Sequence, residues 1–224
     1  MTETMFKRFF PATGRSAHRL RDAAAAGFGC LLLAFGVNAA GAEQVVVTAK
    51  RLDGAVEVHT RAVLKASLAS IWQTLTDYDH FSVFIPGMTS SQVIERRDRI
   101  AVVKQSGYAH MWIFSYPINV VVEALEKPPF EIRVHLLTGN IKRLEGSYRI
   151  EKIAGKDDEY ALGWDGVIEP DFVLTSIAAP VIRANVSEQF LGMVAEIERR
   201  ESLRAQRQPA SPSPASIASE ALVR

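Results

Sequence analysis

Cysteine is nearly absent from this 224-residue chain: Cys30 is the only one, and it lies inside an N-terminal apolar run. With that run removed on export, no disulfide, thiol nucleophile or thiolate metal site remains. Charge of one sign is also lacking. Twenty-six basic against 25 acidic side chains leave a formal charge of +1, which excludes the broad basic footprint of a nucleic-acid binder. The five histidines, His18, His59, His80, His110 and His135, never fall three or four apart, as a helical metal site requires. There is no serine-centred nucleophile elbow and no glycine-rich phosphate loop. These gaps leave no catalytic residue, metal ligand or cofactor site to assign.

The amino terminus has the composition of an export signal. Lys7, Arg8, Arg15, Arg19 and Arg21 precede the uncharged stretch Ala23–Val37, and Ala40-Gly41-Ala42 supplies small residues for cleavage. The stretch is shorter than the roughly 20 residues of a membrane span. The expectation is a signal peptide over residues 1–42 and a periplasmic protein; an uncleaved N-terminal anchor is the alternative. Residues 43–54 read as a polar linker. At the other end, residues 201–224, with Pro209, Pro212 and Pro214 among serines and alanines, read as a disordered tail that has too little apolar surface to offset ordering entropy.

Between these ends lies one domain, residues 55–200. Val56, Val58, Thr60, Ala62 and Leu64 alternate with polar residues, the period of a half-buried strand. Ser67 is placed to cap a helix with the stripe Leu68, Ile71, Trp72 and Leu75. Alternating segments follow from Met88 to Ile168, separated by turns at Asp98, Pro128-Pro129, Gly139-Asn140 and Gly155. From Leu174 to Arg200 the period changes to helical, with Pro180 and Gly192 as the only weak points. The pattern predicts an α+β fold: a curved antiparallel sheet of about six or seven strands wrapped around a long C-terminal helix.

Several words sharpen this reading: Ala69-Ser70-Ile71-Trp72-Gln73-Thr74-Leu75-Thr76-Asp77-Tyr78-Asp79, Phe84-Ile85-Pro86-Gly87-Met88, Leu144-Glu145-Gly146-Ser147-Tyr148 and Ile168-Glu169-Pro170-Asp171-Phe172. With the element order, they resemble the helix-grip fold of the START-like, polyketide cyclase-like (SRPBCC) superfamily, and within it the coenzyme Q-binding START branch. Thr175 departs from the pattern, standing where many relatives have proline. The resemblance implies a cavity between sheet and helix that holds a lipid or isoprenoid quinone without chemical change.

The residues expected to line that cavity are Trp72, Phe84, Tyr116, Tyr148, Trp164, Val181, Asn185 and Phe190. Trp112 belongs to the same aromatic set, and plain core packing is the other reading for each aromatic. Tyr116, Tyr148, Trp164 and Asn185 are the candidate donors to a ligand carbonyl. Phe81, Val83, Phe84 and Ile85 suit either an apolar cavity mouth or a satellite core. Asp77-Tyr78-Asp79 reads as a capping and turn element, not a catalytic pair. The expected partner is a hydrophobic small molecule, with transient membrane contact and no nucleic acid. A cyclase or hydratase acting on a polyketide- or steroid-like substrate, and an envelope interaction domain without ligand, stand as alternatives.

Overall fold

The computed structural model describes residues 45–111, 114–171 and 175–207. The expected signal peptide, Trp112 and the Pro/Ser-rich segment from 208 onward lie outside the described residues.

Eight strands form one antiparallel sheet: β1 Val46–Leu52, β2 Ala55–Lys65, β3 Met88–Arg97, β4 Ile100–Met111, β5 Phe114–Lys127, β6 Glu131–Gly139, β7 Ile141–Lys152 and β8 Glu159–Pro170. Their spatial order is β1-β2-β8-β7-β6-β5-β4-β3. Among the described residues, three α-helices accompany the sheet: α1 Leu68–Leu75, α2 Phe81–Phe84 and α3 Thr175–Arg207. This is the α+β helix-grip architecture expected from the chain.

The register follows the alternation. In β2, Val56, Val58, Ala62 and Leu64 are buried and pair against β8, where Leu162 and Trp164 are buried. Ser67 caps α1 as expected, its Oγ accepting from the Ser70 backbone N–H at 3.3 Å. The core lies between the concave sheet face, α1 and α3, around Leu64, Ile71, Ile132, Leu162, Met193 and Ile197.

Three details depart from expectation. The segment read as a linker contains β1, which makes the sheet eight-stranded. Asp53 and Gly54, at φ +35° and +90°, turn it into β2. Where a capping turn was expected at Asp77-Tyr78-Asp79, the chain forms a 3-10 turn over Tyr78–His80 and goes straight on into α2. Helix α3 runs seven residues past Arg200. That extension has a packing role. Glu201 accepts from the Ser67 hydroxyl at 2.6 Å, and Arg204 donates to the same oxygen. A carboxylate thus stands at the N-terminus of α1, where the helix dipole favours it.

Candidate functional site

Two adjoining chambers lie between α3 and the concave face. The outer one, about 190 Å³, is bounded by Gly87, Tyr108, Ile118, Ile141, Pro170 and Val181, with Asn185 among its walls. The inner one, about 150 Å³, is bounded by Tyr78, Phe81, Val122, Ile132, Trp164 and Met193. Met88, Gln105, Leu144, Ile168, Val186 and Gln189 border both chambers and form the waist between them. The walls are mostly aliphatic and aromatic. Among the described residues, no Lys, Arg, His, Asp or Glu lines either chamber.

Local sequence explains the shape. On β7, Leu144, Gly146 and Tyr148 share the inward phase; on β8, Trp164, Gly166 and Ile168 do. Gly146 and Gly166 are directly paired, and a Cβ at either would meet the Trp164 ring at 2.7 or 2.6 Å. The indole therefore lies across bare backbone and leaves chamber volume that a side chain there would take away.

The electrostatics fit an apolar interior. Burial alone pushes the Tyr148 hydroxyl up to about 12. Tyr78 is also raised, first by burial and then by the Glu126 carboxylate, which is near but outside hydrogen-bonding geometry. Its hydroxyl is buried without a hydrogen-bond partner. Neither phenol is tuned toward ionisation at neutral pH.

The family model described as polyketide cyclase / dehydrase and lipid transport matches residues 64–205, more than half of the chain. The chain belongs to this family. Among solved structures, it is similar to a STAR-related lipid transfer protein from Xanthomonas axonopodis, with TM-score 0.59 and 15% identity over 70% of this chain and 95% of that one. It is similar also to the Zhui aromatase/cyclase from Streptomyces sp. R1128, with TM-score 0.55 and 14% identity over 68% and 97%. A START superfamily protein from Mycobacterium smegmatis aligns with TM-score 0.52 and 14% identity over 66% and 97%. At such identities the likeness is one of fold. No curated protein matches the chain. Lipid-transport proteins and aromatase/cyclases thus share this family's scaffold, a fold suited to hydrophobic ligands.

In this member of the family, Tyr148, Trp164 and Phe190 wall the inner chamber, and Val181 and Asn185 the outer one. Trp72, Phe84 and Tyr116 line neither. Trp72 packs against the core from α1. Phe84 stacks edge-on against Phe81 at 5.6 Å, with the Arg200 guanidinium 5.5 Å above its ring. Tyr116 pairs with Ala109 near the outer end of β5. Phe81 and Ile85 are buried walls of the inner chamber, whereas Val83 is 79% exposed.

Asn185 is engaged as a clasp. Its Oδ1 accepts from the His110 backbone N–H at 2.8 Å, and its Nδ2 donates to the carbonyls of His110 and Val181 at 2.8 and 2.9 Å. Both amide protons are used. On the same helix, Arg183 donates to the Val47 carbonyl at 2.9 Å.

Hydrophobic pattern reading passed over the two glutamines of the waist because it assigns amides to the surface. Their phases were a usable signal. Gln105 alternates with Val103 and Gly107 on the inward side of β4, and Gln189 continues the stripe Ile182-Val186-Met193 of α3.

Asp77 and Asp79 are structural. Asp77 accepts from Arg200 and pairs with His80, each at 2.6 Å, and Asp79 accepts from the Val93 backbone N–H at 2.7 Å. Burial pulls the Asp77 pKa up, but the hydrogen bonds from His80 and Arg200 outweigh it and hold the carboxyl below its usual range. Asp77 in turn raises His80.

Proposed function

We propose that this protein is an exported binding protein for a hydrophobic small molecule, a lipid or an isoprenoid quinone-like compound, which it holds between sheet and α3 without chemical change. The carrying observation is the pair of adjoining apolar chambers with no charged side chain among their described linings. Ligand surface leaving water for such walls gains about 25 cal/mol per Å². Together the chambers fall at the low end of the roughly 300–1,000 Å³ typical of small-molecule sites. A ring with a short tail fits that volume, and a longer tail would leave through the outer chamber. An acid–base enzyme needs a group that titrates near neutrality against the substrate, and the raised tyrosines do not serve that role. The likeness to the coenzyme Q-binding branch supports the quinone reading, and the apolar N-terminal stretch supports delivery to the periplasm.

Native mass spectrometry of the full chain expressed with its own N-terminus, followed by organic extraction, tests this. The expected species begins at Glu43 and carries a stoichiometric apolar adduct. Failure to bind any quinone or lipid on titration would sink the binding reading. A mature mass retaining residues 1–42 would replace export and release by N-terminal anchoring.

A further inference from the structure

The waist between the chambers carries chemistry that a purely greasy cavity does not need. Gln105 comes from the inward phase of β4, between Val103 and Gly107, and Gln189 from the cavity-facing stripe of α3, between Val186 and Met193. Both are polar residues at positions the fold otherwise fills with apolar ones. Gln105 spends one N–H on the Ser91 hydroxyl at a long 3.4 Å. That leaves its carbonyl and second N–H available. Gln189 has no hydrogen bond to another described residue. Both amides are half-buried where the chambers adjoin, so a ligand spanning the two would cover them and leave their unused groups in need of partners.

We infer that the waist is a recognition site for an uncharged ligand carrying a carbonyl or hydroxyl group, held by Gln105 and Gln189, and that ionised acids are rejected. This rests on the cavity reading above and narrows it to a ligand class. An amide donates and accepts, so it satisfies a ketone or quinone oxygen as well as an alcohol. A carboxylate would enter with no cation among the described linings to meet it, and an unpaired buried charge is strongly unfavourable. The same sheet elsewhere carries charge freely, but on its solvent side: Arg149 with Asp165, and Arg61 with Glu151.

The test is displacement of the neutral fluorophore N-phenyl-1-naphthylamine by four ten-carbon probes: decane, 2-decanone, 1-decanol and decanoate at alkaline pH. The expected result is displacement by the first three, with decanoate weaker by about a hundredfold. Gln105→Leu and Gln189→Leu should each weaken 2-decanone about tenfold. Decane has no polar group for the amides to meet, so it should bind the variants at least as tightly as the native chain, which also reports that they are folded. Decanoate matching the ketone, or leucine variants that hold the ketone as well as the native chain does, would overturn the inference and leave the cavity reading intact. Binding of neither the fluorophore nor decane to the native chain would overturn both.

Discussion

Asp77 shows what a single carboxylate does in this molecule. It joins the first helical segment to α3 through Arg200, whose guanidinium also reaches the nearly buried Glu196 at 2.7 Å. The pKa of Asp77 is lower in the folded chain. Its stabilising contribution is therefore full above the ordinary carboxylate pKa, about 3.9, and is lost as pH falls through the depressed folded value. Asp77→Asn keeps the volume and removes the charge. The expected cost near pH 7 is about 1–2 kcal/mol, for a charge-assisted bond replaced by a neutral one. Urea unfolding at a series of pH values checks this. The gap between native and variant chains should hold down to about pH 4 and close only below it. A gap that shrinks instead as pH rises through the raised His80 pKa would assign the effect to the His80 pair, and one that persists in strong acid would contradict the linkage.

Helix α3 shows how far an element can be read from its residues. Ile182, Phe190, Val194 and Ile197, all buried, recur at helical spacing and were legible as one face. Gly192 read as a weakness, since glycine costs about 1 kcal/mol against alanine in a helix interior. The structure gives it a purpose. A Cβ there would strike the Phe84 carbonyl oxygen and come within 2.5 Å of the Pro86 ring. The absent side chain lets the segment after α2 lie directly on the helix, which keeps Phe81 and Ile85 in the inner chamber wall. Gly192→Ala should therefore destabilise the protein by about 1–3 kcal/mol in thermal or urea unfolding, despite its better helix propensity. A stabilised variant would show that this contact yields without cost. β1 was illegible for the opposite reason: it is an edge strand in which Val47 alone is buried, so it lacks the alternation that marked β2. The waist was illegible because Gln105 and Gln189 break the apolar pattern from inside it. Trp72 was misleading because it lies on the apolar stripe of α1, yet that stripe packs against core rather than cavity.

At the scale of the whole molecule, α3 closes an open sheet by reaching in two directions. Arg183 ties it to β1 and Asn185 ties it to β4. The second tie sits where the sheet edge changes hands. β3 pairs with β4 only as far as Met88 opposite Gly107, so the end of β4 continues past its neighbour. There the Asn185 amide takes both the N–H and the carbonyl of His110, as a neighbouring strand would. This clasp borders the outer chamber, whereas the Arg183 tie does not. Breaking each should have different consequences. Asn185→Ala should cost about 1 kcal/mol, because the freed backbone groups are exposed and regain water. It should also speed amide exchange at His110 and release N-phenyl-1-naphthylamine several-fold faster, since the open state loses less on opening. Arg183→Ala should leave the release rate unchanged. Stopped-flow dilution of the loaded protein, with hydrogen exchange read at His110, separates the two. Equal release from the native chain and Asn185→Ala would mean that ligand passes elsewhere than between β4 and α3. Acceleration by Arg183→Ala would mean that the whole helix, rather than its β4 side, lifts to admit the ligand.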